Sequence, residues 1–390
     1  MSERDLSDVN RILHFAKLTE EEILPTSQAL YFAPENIHNN DFRLLELNND
    51  LLKVIEENRP LYIKGEDNDE VVLCTEDSTF HVTEAETSNN LLLVRPLKVS
   101  SDITENSERT VETVQICSIF QEYLEAVPGR PHLHKLYDLL SETTYKGPEY
   151  EFELGDKKLY TLEELKDIVQ ASDKELADAL KTMDLVEIDG KIRQIEFDYH
   201  FRVLSYMLKL IDENSWGLDT IDFDETCDTL KDLVSEDVIK SLFEKYTEES
   251  HVIDGIQLYR YKEHNICQFF ARVLLKEAGK FNFEDFVQAW KDSVPEGMVP
   301  SEDMLYGVAI INRKSSPSVI WSFEEHTLPD NVIERFKILF EAKDKWTVPE
   351  ISPYIKPLTT NKLDVNALLA KHARASKIDG VKYYSAKHAK

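Results

Sequence analysis

The 390-residue chain holds only 11 glycines, and none of them falls in G-x-G-x-x-G or before a Lys-Ser/Thr pair. A phosphate-cradling loop is therefore excluded, and with it a nucleotide-hydrolysing site of that kind. H-E-x-x-H and the nucleophile elbow G-x-S-x-G are missing as well. The four cysteines, Cys74, Cys117, Cys227 and Cys267, are scattered with no C-x-x-C pair. Neither a zinc site nor a disulfide framework is expected, and a reducing interior, cytosolic or nuclear, is the natural compartment. No run of about 18 apolar residues occurs, so no membrane-spanning helix is expected. The first residues, MSERDLSDVNRILHF, lack a cleavage pattern and do not read as a signal peptide.

Acid is abundant. The net charge is −29, with 42% hydrophobic and 10% aromatic residues, which suits a globular protein with two to four domains. Such a charge opposes wholesale binding to nucleic acid or anionic membrane. It is unevenly spread, however. Residues 361 to 390 carry seven lysines and arginines against Asp364 and Asp379, a local +5, which leaves −34 for the rest. Contact with phosphate, if made, is expected in this basic C-terminal segment.

From about Ala29 to Leu97 the pattern is strand-like. DFRLLEL, LYIKG and LLLV are short strand candidates. VVLCTEDSTFHVTEA reads as a hairpin, and Leu51 to Asn58 as a short helix or turn. Four or five short strands predict a small β-barrel or sheet, thin enough that a partner chain is expected to complete it. Residues 99–115 are polar and aperiodic, and read as a linker.

From about 116 onward a unit of about 60 residues recurs three to four times: three helices and a hairpin. Thr161-Glu164 and Ser172-Glu175 predict capping boxes in the first copy. Asp189-Gly190, Asp254-Gly255 and Asp379-Gly380 predict two-residue hairpin turns. SEDMLYG is expected to start the third helix of the third copy, and VAIINRKSSPSVIWSF to form its hairpin with a longer turn. Three helices and a hairpin make the winged-helix plan; the alternative is an undifferentiated helical bundle. The predicted domains are 1–98, a β-rich assembly domain; the 99–115 linker; and winged helices at 116–198, 199–262, 263–326 and 327–390. The fold class is α+β.

Little catalytic chemistry is visible. His132 and His134, placed on one helix, would point to different faces, so a shared metal is not expected. The acidic pairs Glu163-Glu164, Glu248-Glu249 and Glu324-Glu325 read as solvated faces, and Trp216, Trp290, Trp321 and Trp346 as core. No enzyme, cofactor or metal is expected. In the first three copies the third helix is acidic, with Asp173, Glu175 and Asp178, then Glu236, Asp237 and Glu244, then Glu302 and Asp303. The fourth differs. If LLAKHARASK is helical, Val365, Leu368, Leu369 and Ala373 share one side while Lys371, Arg374 and Lys377 share the other. The following hairpin adds Lys382 and Lys387, with Tyr383 and Tyr384 able to stack on a base or sugar. These seven residues are the candidate DNA-binding set; the alternative is a basic tail serving solubility alone.

The segments DFRLLEL, LYIKG, VVLCTEDSTFHVTEAETSNNLLLV, KFNFEDFVQAWKDSVPEGM and ERFKILFEAKDKWTVPEISPYI together resemble the Dcc-type sister-chromatid-cohesion subunit of the alternative, Ctf-type clamp loader, replication factor C in its cohesion form. The resemblance spans nearly the whole chain, with a weak stretch from about Ser100 to Tyr160. It implies an N-terminal β region joined to the small Ctf-type subunit and to the tail of the large Ctf-type ATPase subunit. It also implies tandem winged helices linked to single- and double-stranded DNA, and docking on the catalytic subunit of DNA polymerase epsilon. The implied setting is the nucleus, in loading or unloading of the sliding clamp and in cohesion, with no membrane partner. The other reading that the residues allow is a winged-helix scaffold for protein interactions that never touches DNA.

Overall fold

A computed structural model describes residues 6–17, 19, 26–32, 42–67, 69–98, 110–359 and 363–387. The fold is mixed α+β, divided into two compact units: residues 1–142 with 160–183, and residues 143–159 with 184–390. Among the described residues no helix is long and apolar enough to cross a membrane.

The first unit begins with helix α1 (Leu6–Ala16) and strand β1 (Thr26–Phe32). Strand β2 (Leu45–Glu46), helix α2 (Asn49–Glu56) and strands β3 (Tyr62–Lys64) and β4 (Val72–Cys74) follow. Two long strands come next, β5 (Thr79–Val94) and β6 (Thr110–Pro128). The sheet order is β1-β6-β5-β4-β3, with β2 also on β6. Among the described residues it is open, not a barrel: strands of 16 and 19 residues form its spine, and β1 and β3 end up at opposite edges with no pairing between them. The VVLC hairpin is present as β4–β5. LLLV is not a separate strand but the end of β5, past a register shift at Glu86/Leu91. Residues 110–115, read as linker, lie in β6, as do 116–128, where a helical region was expected to begin. Val114, Ile116, Ser118 and Phe120 alternate into the interior along it. Residues 99–109 of that linker lie outside the described residues.

Leu51, Leu73, Phe80 and Ala126 form a small core between α2 and the sheet. Asn48 starts α2 by accepting from the Asp50 and Leu51 amides, and its own amide donates to Ala126 O at 3.1 Å. The same unit contains helices α3 (His134–Ser141), α4 (Leu162–Ile168) and α5 (Asp173–Thr182). Both expected capping boxes are formed, Thr161 with Glu164 and Ser172 with Glu175. Lys64 at the sheet edge donates to the carbonyls of Lys166 and Ala171 at 2.6 and 2.7 Å, satisfying acceptors that the end of α4 leaves open.

In the second unit, hairpin β7 (Leu185–Ile188) and β8 (Lys191–Gln194) precedes helices α6 (Phe197–Glu213), α7 (Phe223–Leu230) and α8 (Glu236–Tyr246), with the short strand β9 (Ile221–Asp222) before α7. Hairpin β10 (Thr247–Ile253) and β11 (Ile256–Tyr261) closes that group, and β9 pairs with β11. Helix α9 (Glu263–Ala278), strand β12 (Lys280–Asn282), helix α10 (Phe283–Ser293) and hairpin β13 (Ala309–Asn312) and β14 (Val319–Ser322) form the next, with β12 on β14. Its expected third helix is only a 3-10 turn over Glu302–Leu305. Helices α11 (Val332–Ala342), α12 (Val348–Ile355) and α13 (Val365–His372) and hairpin β15 (Ala373–Ile378) and β16 (Val381–Ala386) complete the chain.

One geometry recurs. In each group a residue or strand between the first and second helices pairs with the returning hairpin: Tyr145 with Ile195, β9 with β11, β12 with β14, and Trp346 with Tyr384. The Asp-Gly turns are as expected. Asp189, Asp254 and Asp379 have φ of 51°, 52° and 49°, each followed by a glycine at 73°, 83° and 84°. Positive φ at both central residues fits the right-handed strand twist, and glycine bears it without strain. For the first copy the division between units falls between its helices and its hairpin.

Trp290 and Trp346 are buried, as expected, and donate their indole N–H to Cys267 O and Leu339 O. Cys267 and Cys74 are buried free thiols, and burial pushes Cys267 up to about 12.

Candidate nucleic-acid interface

Helix α13 is short for physical reasons at both ends. Asp364 accepts from the Ala367 amide at 2.7 Å and starts it. Leu368 and Leu369 are buried on its inner side, and each burial contributes roughly 1.5–3 kcal/mol. The helix stops at His372 because Ala373 takes an extended backbone, φ −125° and ψ 162°, and enters β15.

The expectation of one basic helical face is therefore corrected. Lys371 is on the helix, whereas Arg374 and Lys377 are on a strand. Residues three apart on a strand face opposite ways. Lys377 sits directly across from Lys382, and Arg374 across from Ser385. Tyr384 is 4% exposed and its backbone pairs with Trp346, so it cannot stack on a base. Tyr383 is half-buried and shares the side of Arg374. Lys382 Nζ lies 5.0 Å from the Tyr384 ring centroid, a cation–π contact that holds the ammonium against the hairpin.

Lys387 closes the base of the hairpin. Its ammonium donates to Lys371 O at 2.7 Å, completing the end of α13. Its charge lies near His372, a residue that the sequence pattern did not single out. That ring stacks on Phe336 at 5.3 Å. Burial first, then Lys371 and Lys387, press its pKa below the ordinary histidine range. An anion at this corner would reverse the last two effects. The strand alternation beginning at Ala373 is the signal that could have placed it.

The basic groups thus surround the hairpin: Lys371 and Lys387 at its base, Arg374 on one side, and the Lys377–Lys382 pair on the other, next to the turn. Among the described residues no carboxylate ion pair is formed by any of the five. Lysines elsewhere in the unit have them, as in Lys231–Asp228, Lys276–Asp198 and Lys343–Glu350. Like charges directly opposed on a ladder weaken it. Lys377 and Lys382 are a source of instability that a phosphate between them would remove.

The other third-helix positions remain acidic where they are formed. Helix α5 presents Asp173 and Glu175 in its first turn, α8 Glu236 and Asp237, and the 3-10 turn Glu302 and Asp303. The expected His132/His134 arrangement is corrected too. His134 opens α3, but His132 precedes it and bridges to Gln170.

Comparison with known proteins adds a family. A family model described as sister chromatid cohesion protein Dcc1 matches residues 42–355. Sister chromatid cohesion protein DCC1 of Xenopus tropicalis is 35% identical over 388 residues, covering 98% of each chain. The human protein of the same name is 34% identical over 388 residues at the same coverage. The Saccharomyces cerevisiae protein is 24% identical over 383 residues, covering 90% of this chain and 97% of the relative.

Proposed function

The chain belongs to the Dcc1 family of sister chromatid cohesion proteins, and from that premise we propose that it is a non-catalytic adaptor. It joins a Ctf-type alternative clamp loader to DNA and to the catalytic subunit of DNA polymerase epsilon, in the nucleus, and thereby serves sliding-clamp loading or unloading during replication and cohesion. The observation that carries the DNA role is the hairpin at residues 373–386 and its base, where Lys371, Arg374, Lys377, Lys382 and Lys387 gather, with no carboxylate partner among the described residues, in a chain of net charge −29. Attraction to the phosphate backbone is local charge, and it carries no sequence preference by itself.

The recurring order of helix, pairing residue or strand, helix, helix (a 3-10 turn in the third group) and hairpin supports the reading of the repeated groups as winged helices. The last group is the one equipped for phosphate. The acidic third helices of the others favour protein contacts in the same modules, so scaffold and DNA roles divide between copies.

Assembly with the large and small Ctf-type subunits is read onto the open sheet. Its edges carry exposed Leu30, Tyr31 and Phe32 on β1 and Tyr62 and Ile63 on β3. An exposed apolar edge offers backbone groups that another strand can satisfy.

Electrophoretic mobility assays with the full chain test the DNA role. Lys377→Glu with Lys382→Glu should weaken retention of duplex DNA while the far-UV spectrum stays unchanged. Retention at the wild-type level would leave the scaffold reading alone.

A further inference from the structure

His81, His132 and Glu70 come together within the first unit although 62 positions separate the outermost two, and each offers a ligand atom within 4.8 Å of the others. The two imidazole rings lie 4.9 Å apart, tilted by 44°. We propose that these three side chains form a binding site for a divalent d-block cation of the zinc class, with a water in the fourth position.

The donor set fits that ion. Two imidazole nitrogens and one carboxylate are a ligand combination of zinc sites, whereas calcium and magnesium take oxygen donors. The surroundings supply the correct tautomer at His132. Gln170 Nε2 donates to the backbone carbonyls of Lys64 and Glu70, so its Oε1 is the acceptor. His132 Nδ1 lies 3.3 Å from that Oε1 and is therefore the protonated nitrogen. Its Nε2 lone pair is left for a metal, the arrangement in which a ligating histidine is held by an amide or carboxylate behind it.

The Arg130 amide donates to His81 Nε2 at 3.2 Å, a long bond that a stronger Lewis acid would displace. Its ring rests on the Gly129 backbone so closely that a Cβ at 129 would overlap it, which fixes where the imidazole sits. Glu70 is exposed and free to close. A tetrahedral ion with bonds of about 2.1 Å spaces its ligands about 3.4 Å apart. Closing from 4.8 Å is within reach of side-chain rotation. The bound ion would clamp β5 to the segments that precede β4 and α3.

The test uses the full chain, stripped with chelator and titrated with ZnCl2 by calorimetry, with MgCl2 as the control. One zinc should bind, magnesium should not, and thermal unfolding should shift upward with zinc. Glu70→Gln alters an exposed side chain and leaves the fold intact; it and His132→Gln should each weaken zinc binding by tenfold or more. Cobalt(II) should give tetrahedral visible bands that both variants lose. The absence of stoichiometric zinc binding overturns the proposal. Zinc binding that both variants retain at wild-type strength also overturns it, because the ion then belongs to the cysteines or other histidines.

Discussion

Trp346 and Tyr384 exchange a reciprocal pair of backbone hydrogen bonds, the Trp346 amide to Tyr384 O at 3.0 Å and the return at 2.8 Å. This pair anchors the basic hairpin to the helices behind it. Both side chains are buried in the core that also contains Leu368 and Leu369. Tyr384→Ala should therefore cost about 3–5 kcal/mol of stability, as large aromatic truncations in a core do. Tyr383→Ala, at a half-buried position, should cost far less. Urea unfolding of the two variants checks the contrast, and equal losses would contradict the placement of Tyr384.

Lys377 and Lys382 face each other across the ladder. Lys377→Glu converts a repulsive pair into an attractive one, so the hairpin should gain roughly 0.2–1 kcal/mol. DNA affinity should fall in the same variant. Thermal unfolding and a binding isotherm on one sample check both signs. A parallel loss of stability and affinity would mean that binding fails through misfolding.

Lys64 reaches three carbonyls at the end of α4, those of Lys166, Ala171 and, at 3.4 Å, Val169. Hydrogen bonds from a charged donor contribute about 1.5–3 kcal/mol. Lys64→Met should cost that order of stability, and amide hydrogen exchange should accelerate first at the C-terminal turn of α4.

His200 gives the molecule an acid-sensitive point. Its ring is fully buried, stacked on Phe269 at 4.3 Å. Burial, and then the charge of Arg272, hold its pKa down at about 3. The Asp184 carboxylate 3.3 Å away is engaged by Lys245, which limits its pull in the other direction. The unfolded chain protonates His200 near pH 6.5, while the folded chain keeps it neutral. Its contribution is thus complete above about pH 6.5 and lost as pH falls toward the folded value. Wild type should lose about 2 kcal/mol more than His200→Phe between pH 7 and pH 5, read from urea midpoints.

The turns and caps were legible because each depends on a few adjacent residues. Asp-Gly specifies a positive-φ pair locally, and Thr161 with Glu164 closes its box within one helical turn. What escaped depended on distant partners. Strand β6 alternates Val114, Ile116, Ser118 and Phe120 inward, but Cys117 and Ile119 on the other side blur the period. Its acidic ends also resemble a helix. The segment after His372 has strong local helical preference, yet pairing with β16 and through it with Trp346 makes it a strand. The basic residues of the candidate site were legible as charge, whereas their arrangement was not, since one change of period moved Arg374 and Lys377 to opposite sides. His132 and His81 could not be associated from sequence, because they meet only through the fold, where Gln170 holds His132 beside the Glu70 carbonyl.

The most direct test is the salt dependence of duplex DNA binding by the full chain, compared with a variant carrying Lys371→Glu, Arg374→Glu, Lys377→Glu and Lys382→Glu. Wild type should show a log–log slope of about −3 to −4, the signature of a few phosphate contacts. The variant should lose most of both affinity and slope. Equal affinity and slope in the two proteins would remove the basic hairpin as the DNA-contacting surface.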